Sequence, residues 1–317
     1  MSAVNLGAPL ETCTLEDGRT LAFGRYGALT NNAGVPFFYF NGTPSSRREA
    51  IMLSETACKL GITLIGVDRP GLGHSSFQEH RRLLDWPRDI HALADHLDIH
   101  KFAVLGVSGG GPHVLACLHE ISSDRLVAAT TVSGMWPMKF GAAGMMLPTW
   151  LTFKMAAWSP WVAELALETF LGKAARSSDR EALKEKMRAN LGSLPTPPID
   201  KECVEEFLEN DVLTETMIGG IQDAFRLSSR GAVRDFHIMG TEWEFDVANV
   251  DARRVTVWHG DLDANIPMSM VNRATKLMPG TKVNIFEGHG HLSLVLRHQE
   301  DILKELLART QAEDVDD

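Results

Sequence analysis

The stretch Gly106-Val107-Ser108-Gly109-Gly110 stands between two segments of opposite character. Before it, residues 101–107 form a nearly continuous apolar run, the pattern of a strand buried on both faces. After it, residues 114–121 carry apolar side chains at helical spacing. A serine on a tight strand-to-helix turn is pushed out beyond the carboxyl end of the sheet, and glycines around it tolerate the close backbone approach. The helix N-terminus that follows favours developing negative charge. Gly-x-Ser-x-Gly alone is a weak signal, and its position between strand and helix is what gives it weight. The rival reading is a phosphate-binding loop. It lacks the Lys and Ser/Thr of a P-loop, and Gly106-x-x-Gly109-x-Gly111 reverses the dinucleotide spacing.

The strand, loop, helix unit recurs on either side of this turn. Residues 35–40 are apolar and end in Asn41-Gly42-Thr43-Pro44, with Ser45 placed to cap a helix carrying Ile51, Leu53, Ala57 and Leu60. Residues 62–67 end in Asp68-Arg69-Pro70-Gly71, a helical pattern covers 86–97, and residues 126–132 form a further strand. An N-terminal hairpin turns at Asp17-Gly18. Strands return at 255–258 and 283–286, separated by a helical 268–277 and followed by a helical 299–307. Such alternation predicts an α/β fold, a mostly parallel central sheet with helices on both faces. From 136 to 234 the alternation stops and helices split by Pro148, Pro160 and the 193–198 loop take over. The expected organisation is a core of residues 1–135 and 241–317, with a helical cap of residues 136–240 inserted in it.

Length and composition bound the function. The chain has 317 residues, 44% of them hydrophobic and 23% charged, enough for a large buried core. The net charge is −10, with part of the excess in Glu313-Asp314-Val315-Asp316-Asp317, so no basic surface is offered to nucleic acid. The four cysteines are scattered without a Cys-x-x-Cys pair, which argues against a disulfide framework or a zinc ribbon. Residues 1–10 show no basic region followed by an apolar one, so a cytoplasmic protein is expected. The most apolar region, 141–171, is interrupted by Pro148, Lys154, Pro160 and Glu164. It falls short of the roughly 18 apolar residues of a membrane span and reads as buried or pocket-lining helix. The partner is therefore expected to be a small hydrophobic substrate, and the sequence leaves room for a homodimer.

A serine hydroxyl is a poor nucleophile at neutral pH and needs a histidine base, whose tautomer is in turn fixed by an acid. His259-Gly260-Asp261-Leu262-Asp263 follows one late strand and Glu287-Gly288-His289-Gly290-His291 the other, so Asp261 or Asp263 and His289 or His291 are the candidates. A metal at His289-x-His291 lacks a carboxylate-rich partner motif. An oxyanion hole requires backbone N–H groups. Thr43 is placed to give one and Gly109 the other, because Pro44 has none to donate.

These motifs together resemble an α/β-hydrolase superfamily serine hydrolase with a helical cap. Asn41-Gly42-Thr43-Pro44-Ser45-Ser46-Arg47 is similar to the family's His-Gly-Thr-Pro-Gly-Ser-Arg loop, and Asp68-Arg69-Pro70-Gly71-Leu72-Gly73 to its Asp-Arg-Pro-Gly-x-Gly turn. Gly106 to Pro112, Gly260-x-x-Asp263-x-x-Ile266-Pro267 and Gly290-His291-Leu292-Ser293-Leu294 also match. Asn41 in place of histidine and Ser45 in place of glycine are the departures. The resemblance implies the order Ser108, Asp263, His291 for the triad, with no metal and no organic cofactor. It implies hydrolysis of a hydrophobic ester, thioester or lactone. The same triad also serves C–C bond hydrolases and biosynthetic lyases or cyclases, and the fold also serves ligand-binding receptors. Asn41, Trp136, Met145 and Trp150 are the expected substrate contacts. Trp136, Trp150, Trp158 and Trp161, interspersed with methionines, read either as helix packing or as an adaptable pocket wall. Arg47, Asp68 and Arg69 read as loop braces, and His74 and His113 as surface or satisfied partly buried residues.

Overall fold

The computed structural model describes residues 10–29, 34–193 and 196–312. The acidic tail, nearly all of the N-terminal decapeptide and part of the 193–198 loop lie outside the described residues. Among the described residues eight strands form one sheet: β1 Glu11–Thr14, β2 Thr20–Gly27, β3 Phe37–Phe40, β4 Thr63–Val67, β5 Phe102–Val107, β6 Leu126–Val132, β7 Val255–Gly260 and β8 Lys282–Phe286. Their order is β1-β2-β4-β3-β5-β6-β7-β8. The hairpin at Asp17-Gly18 makes β1 and β2 antiparallel, β2 meets β4 antiparallel, and the remaining pairings are parallel.

The helices are α1 Ile51–Lys59, α2 Trp86–His96, α3 Gly111–Glu120, α4 Leu147–Trp158, α5 Pro160–Leu167, α6 Lys173–Ala175, α7 Arg180–Ser193, α8 Pro198–Glu209, α9 Asp211–Ala224, α10 Arg230–Gly240, α11 Met268–Lys276, α12 His291–Arg297 and α13 Gln299–Ala312. Alternating strand residues point to opposite faces. Phe38, Phe40 and Val104 accordingly pack with Leu93 of α2, Leu115 of α3 and Met270 of α11. Phe37, Tyr39 and Leu105 pack with Leu53 of α1 and with Ile302 and Leu306 of α13. Both faces are covered, as the continuous apolar runs require.

The helical insertion lies between β6 and β7 and has a small core of its own, including Leu183, Ile218, Ile221 and Phe225. The helices divide at Pro148 and Pro160 as expected, each proline sitting in the first turn of α4 or α5, where it loses no hydrogen bond. Other expectations are corrected. The helix after Pro44 is entered through a 3₁₀ turn capped by Ser46, not Ser45, with Ser46 Oγ accepting from Arg48 N at 3.3 Å. The apolar α4–α5 region is not simply buried: Trp158 is 88% exposed and Trp161 71%. Among the described residues no helix is long and apolar enough to cross a membrane.

Candidate active site

Ligands in open α/β sheets bind beyond the carboxyl ends of strands where the strand order reverses. Here the reversal falls between β3 and β5, which are paired in parallel with Phe40 opposite Gly106. This pairing sets the Asn41-Gly42-Thr43 loop beside the Ser108 turn. Ser108 has φ +50°, in the left-handed region that a non-glycine residue rarely occupies. The turn is crowded around it. A Cβ on Gly109 would stand 2.9 Å from Thr43 Cβ and 3.2 Å from Thr43 N. One on Gly111 would stand 2.8 Å from the Gly134 Cα.

His291 opens α12 after β8. Its Nε2 lies 2.9 Å from Ser108 Oγ and its Nδ1 2.7 Å from Asp263 Oδ2. Asp263 follows β7, is buried, and through Oδ1 accepts from the amides of Asn265 and Ile266, each at 2.9 Å. The alternatives are elsewhere. Asp261 accepts from Gly288 N at 2.7 Å in an exposed turn, while the His289 ring lies against His298 and Phe286. Burial by itself would lower the His291 pKa, but Asp263, with lesser contributions from Asp200 and Glu49, raises it above the ordinary imidazole value. Burial would raise the Asp263 carboxyl, but His291, with lesser contributions from His259 and the Ile266 amide, outweighs this and holds it below the usual carboxylate range. The pair is arranged to accept a proton at Nε2 and to stabilise the resulting imidazolium.

The amide of Gly42 is committed to Glu49 Oε1 at 2.8 Å. Thr43 N has no acceptor among the described residues, and Gly109 N lies in the first turn of a helix, where amides lack intrahelical partners. Arg69 orients the loop. It donates from Nη1 to Asn41 O at 2.6 Å and from Nη2 to Gly42 O at 3.0 Å. Because a trans peptide points its C=O and N–H in opposite directions, holding Gly42 O toward Arg69 turns Thr43 N–H the other way. Arg69 also donates to Thr43 Oγ1 at 2.8 Å and to Asp235 Oδ2 from Nε at 2.8 Å. Asp235, on α10, also receives Arg81 and the Thr43 hydroxyl. His113, on α3, donates its Nδ1–H to Gly109 O at 3.0 Å; burial first, then Arg69, pushes it down to about 3 and keeps it neutral.

Three residues have no counterpart in the sequence reading: Asp200, Asp235 and Glu49. Asp200 is the least foreseeable. From α8 it accepts from His291 N at 2.8 Å, Leu292 N at 3.2 Å and Ser293 N at 2.8 Å, supplying the cap that Gly290 lacks. No local motif marks Asp200 or Asp235, because each partner is far away in sequence.

Above Ser108 lies a cavity of about 780 Å³, within the range of small-molecule sites. Its floor includes Thr43, Ser108 and His291, and the insertion supplies Phe153, Leu171, Met187, Met217 and Phe236. The expected contacts are not among its lining residues. Asn41 is fully buried and donates from Nδ2 to Gly42 O at 2.7 Å. Trp136, 1% exposed, belongs to the sheet core, and Met145 packs against that core. Trp150 lies beside Lys154, 6.0 Å from its ammonium nitrogen. The apolar wall comes from other helix faces. Among the described residues no group of three or more His, Cys, Asp or Glu side chains is arranged to hold a metal ion.

A family model described as alpha/beta hydrolase fold matches residues 35–297. No curated protein sequence matches the chain. Among solved structures, a thermophilic esterase from Thermogutta terrifontis is 17% identical, with 96% of this chain and 99% of that one covered and a TM-score of 0.64. An esterase from Rhodococcus sp. ECU1013 is 19% identical, with coverages of 94% and 98% and a TM-score of 0.61. A bromoperoxidase from Bacillus anthracis is 17% identical, with coverages of 96% and 100% and a TM-score of 0.61. At such identities the likeness is one of fold, and proteins with differently named activities share it.

Proposed function

The chain belongs to the α/β-hydrolase family, and on that premise we propose that it is a serine hydrolase cleaving hydrophobic small-molecule esters, thioesters or lactones through an acyl-enzyme on Ser108. The observation that carries this reading is the continuous contact Ser108 Oγ, His291, Asp263, at 2.9 and 2.7 Å, on the floor of an apolar cavity. Ser108 Oγ attacks the carbonyl carbon as His291 Nε2 takes its proton. Asp263 holds Nδ1–H and stabilises the imidazolium. The oxyanion receives the N–H groups of Thr43 and Gly109, each worth on the order of 10² to 10³ in rate when optimally placed. His291 returns the proton to the leaving alcohol or thiol, then activates water to release the acid. No step requires a metal or an organic cofactor.

We assign residues 136–240 the part of a cap. Phe153, Leu171, Met187, Met217 and Phe236 support this, because they bring apolar surface over Ser108 from the insertion. The distinguishing experiment is hydrolysis of p-nitrophenyl butyrate with stopped-flow detection. The wild type is expected to show turnover that Ser108→Ala lowers by roughly 10³-fold or more without changing the thermal midpoint. Unchanged turnover in that variant would remove the reading.

A further inference from the structure

The cavity's one acidic side chain touches no reacting atom in the steps above. Apart from His291, Glu49 is the only ionisable side chain among the described lining residues, and no Lys or Arg lines the cavity with it. Its Oε1 is occupied, accepting from Tyr39 OH at 2.7 Å and Gly42 N at 2.8 Å. Among the described residues Oε2 accepts no hydrogen bond and no ion pair reaches the carboxylate. Gly42 leaves a gap in front of it. A Cβ there would stand 3.5 Å from Glu49 Oε2 and 3.6 Å from Ser108 Cβ, so the carboxylate and the nucleophile flank one small empty space.

Resting on the serine hydrolase reading, we propose that Glu49 sets the substrate class: acyl groups bearing a hydrogen-bond donor, a hydroxyl or an ammonium, close to the scissile carbonyl. An acceptor in an otherwise apolar pocket rewards a donor and penalises an anion, which would meet like charge with no cation to offset it. The rest of the acyl chain is received by the apolar wall. The acyl group, not the leaving group, is assigned to this space because it stays bound to Ser108 after the alcohol has gone.

The test uses matched p-nitrophenyl esters of butyrate, 3-hydroxybutyrate, 3-aminopropanoate and hemisuccinate. For the wild type kcat/KM is expected to be roughly tenfold or more higher for a donor-bearing ester than for butyrate, and roughly tenfold or more lower for hemisuccinate. Glu49→Gln keeps an oxygen for Tyr39 and Gly42 and replaces Oε2 with a donor. It should raise the hemisuccinate-to-butyrate ratio at least about tenfold. It should also abolish an ammonium preference while leaving part of a hydroxyl preference, which tells the two donors apart. Gly42→Ala, which fills the gap at ordinary contact distance, should bring the donor-to-butyrate ratio close to one. Ratios within one enzyme cancel a general loss of activity. Equal rates on butyrate and hemisuccinate in the wild type, or an unchanged ratio in Glu49→Gln, would overturn the proposal. Absence of Ser108-dependent butyrate hydrolysis would instead overturn the serine hydrolase reading.

Discussion

His291 receives acidic neighbours from two directions: Asp263 on its ring and Asp200 on its backbone amide. Both raise its pKa, Asp263 the more, against the lowering effect of burial. In the proposed mechanism His291 acts as a neutral base, so the acid limb of kcat/KM is expected above the ordinary imidazole range. Asp200→Asn removes one raising charge and should move that limb to lower pH. It also weakens three amide contacts, so kcat is expected to fall more than KM rises. A limb that stays in place would mean that Asp200 acts only as a cap. At this scale the position of the loops left two candidates each for acid and base, and the resemblance chose Asp263 and His291. What separated Asp263 from Asp261 is environment: one is buried with two amides on Oδ1, the other sits in a solvated turn. Neighbouring loop residues of the same type look alike until the turn that aims them is formed.

The Asn41-Gly42-Thr43 loop, to which we assign one oxyanion donor, is an example of an element held from outside itself. Arg69, from the turn after β4, fixes two of its carbonyls, and Asp235, from α10, fixes Arg69. Removing one partner of a buried ion pair costs about 3–5 kcal/mol. Asp235→Ala is therefore expected to lower the unfolding free energy by about that amount, measured by denaturant titration. Asp235→Asn, in buffers where it stays folded, should lower kcat by roughly 10- to 100-fold while KM changes little, because the affected donor acts on the transition state. A change confined to KM would contradict this role. The strands behind the loop were legible as apolar runs, and so was Arg69 as a brace. Asp235 was not, because its contact with Arg69 spans 166 residues. The tryptophan-rich segment misled for a related reason: apolar composition reports burial without saying against what. Trp136 packs in the sheet core, so Trp136→Ala is expected to cost about 3–5 kcal/mol of stability and to leave the ranking of acyl substrates unchanged. A selective change in that ranking would place it at the pocket.

Across the whole molecule, the insertion is tied to the core by carboxylates from three successive helices. Asp200 of α8 holds the His291 amide, Asp223 of α9 meets Arg47 at 3.2 Å, and Asp235 of α10 meets Arg69 and Arg81. Two of these ties end on parts of the site: the His291 amide and Arg69, which holds the Asn41-Gly42-Thr43 loop. The sequence showed where the alternation of strands and helices stopped, and hence that an insertion existed. It did not show these ties, since their partners are brought together only by the finished sheet. One of these ties, through Asp235, also gives stability an acid-sensitive component. For Asp235, burial acts to raise the carboxyl, but Arg69 and Arg81 overcome it and hold it well below the usual range. A carboxyl lowered in the folded state contributes stability that is present above its unfolded pKa and is lost as pH falls through the folded value. The thermal midpoint is expected to fall as pH drops below about 4, and less steeply in Asp235→Asn. An equal slope in both proteins would show that Asp235 has no share in it.

Whether Ser108 Oγ is the nucleophile is read by mass spectrometry after treating folded protein with a fluorophosphonate. One adduct per chain is expected, located on Ser108 by peptide mapping, and no adduct in Ser108→Ala or after unfolding. An unlabelled folded protein, or an adduct on any other residue, would contradict the Ser108 assignment.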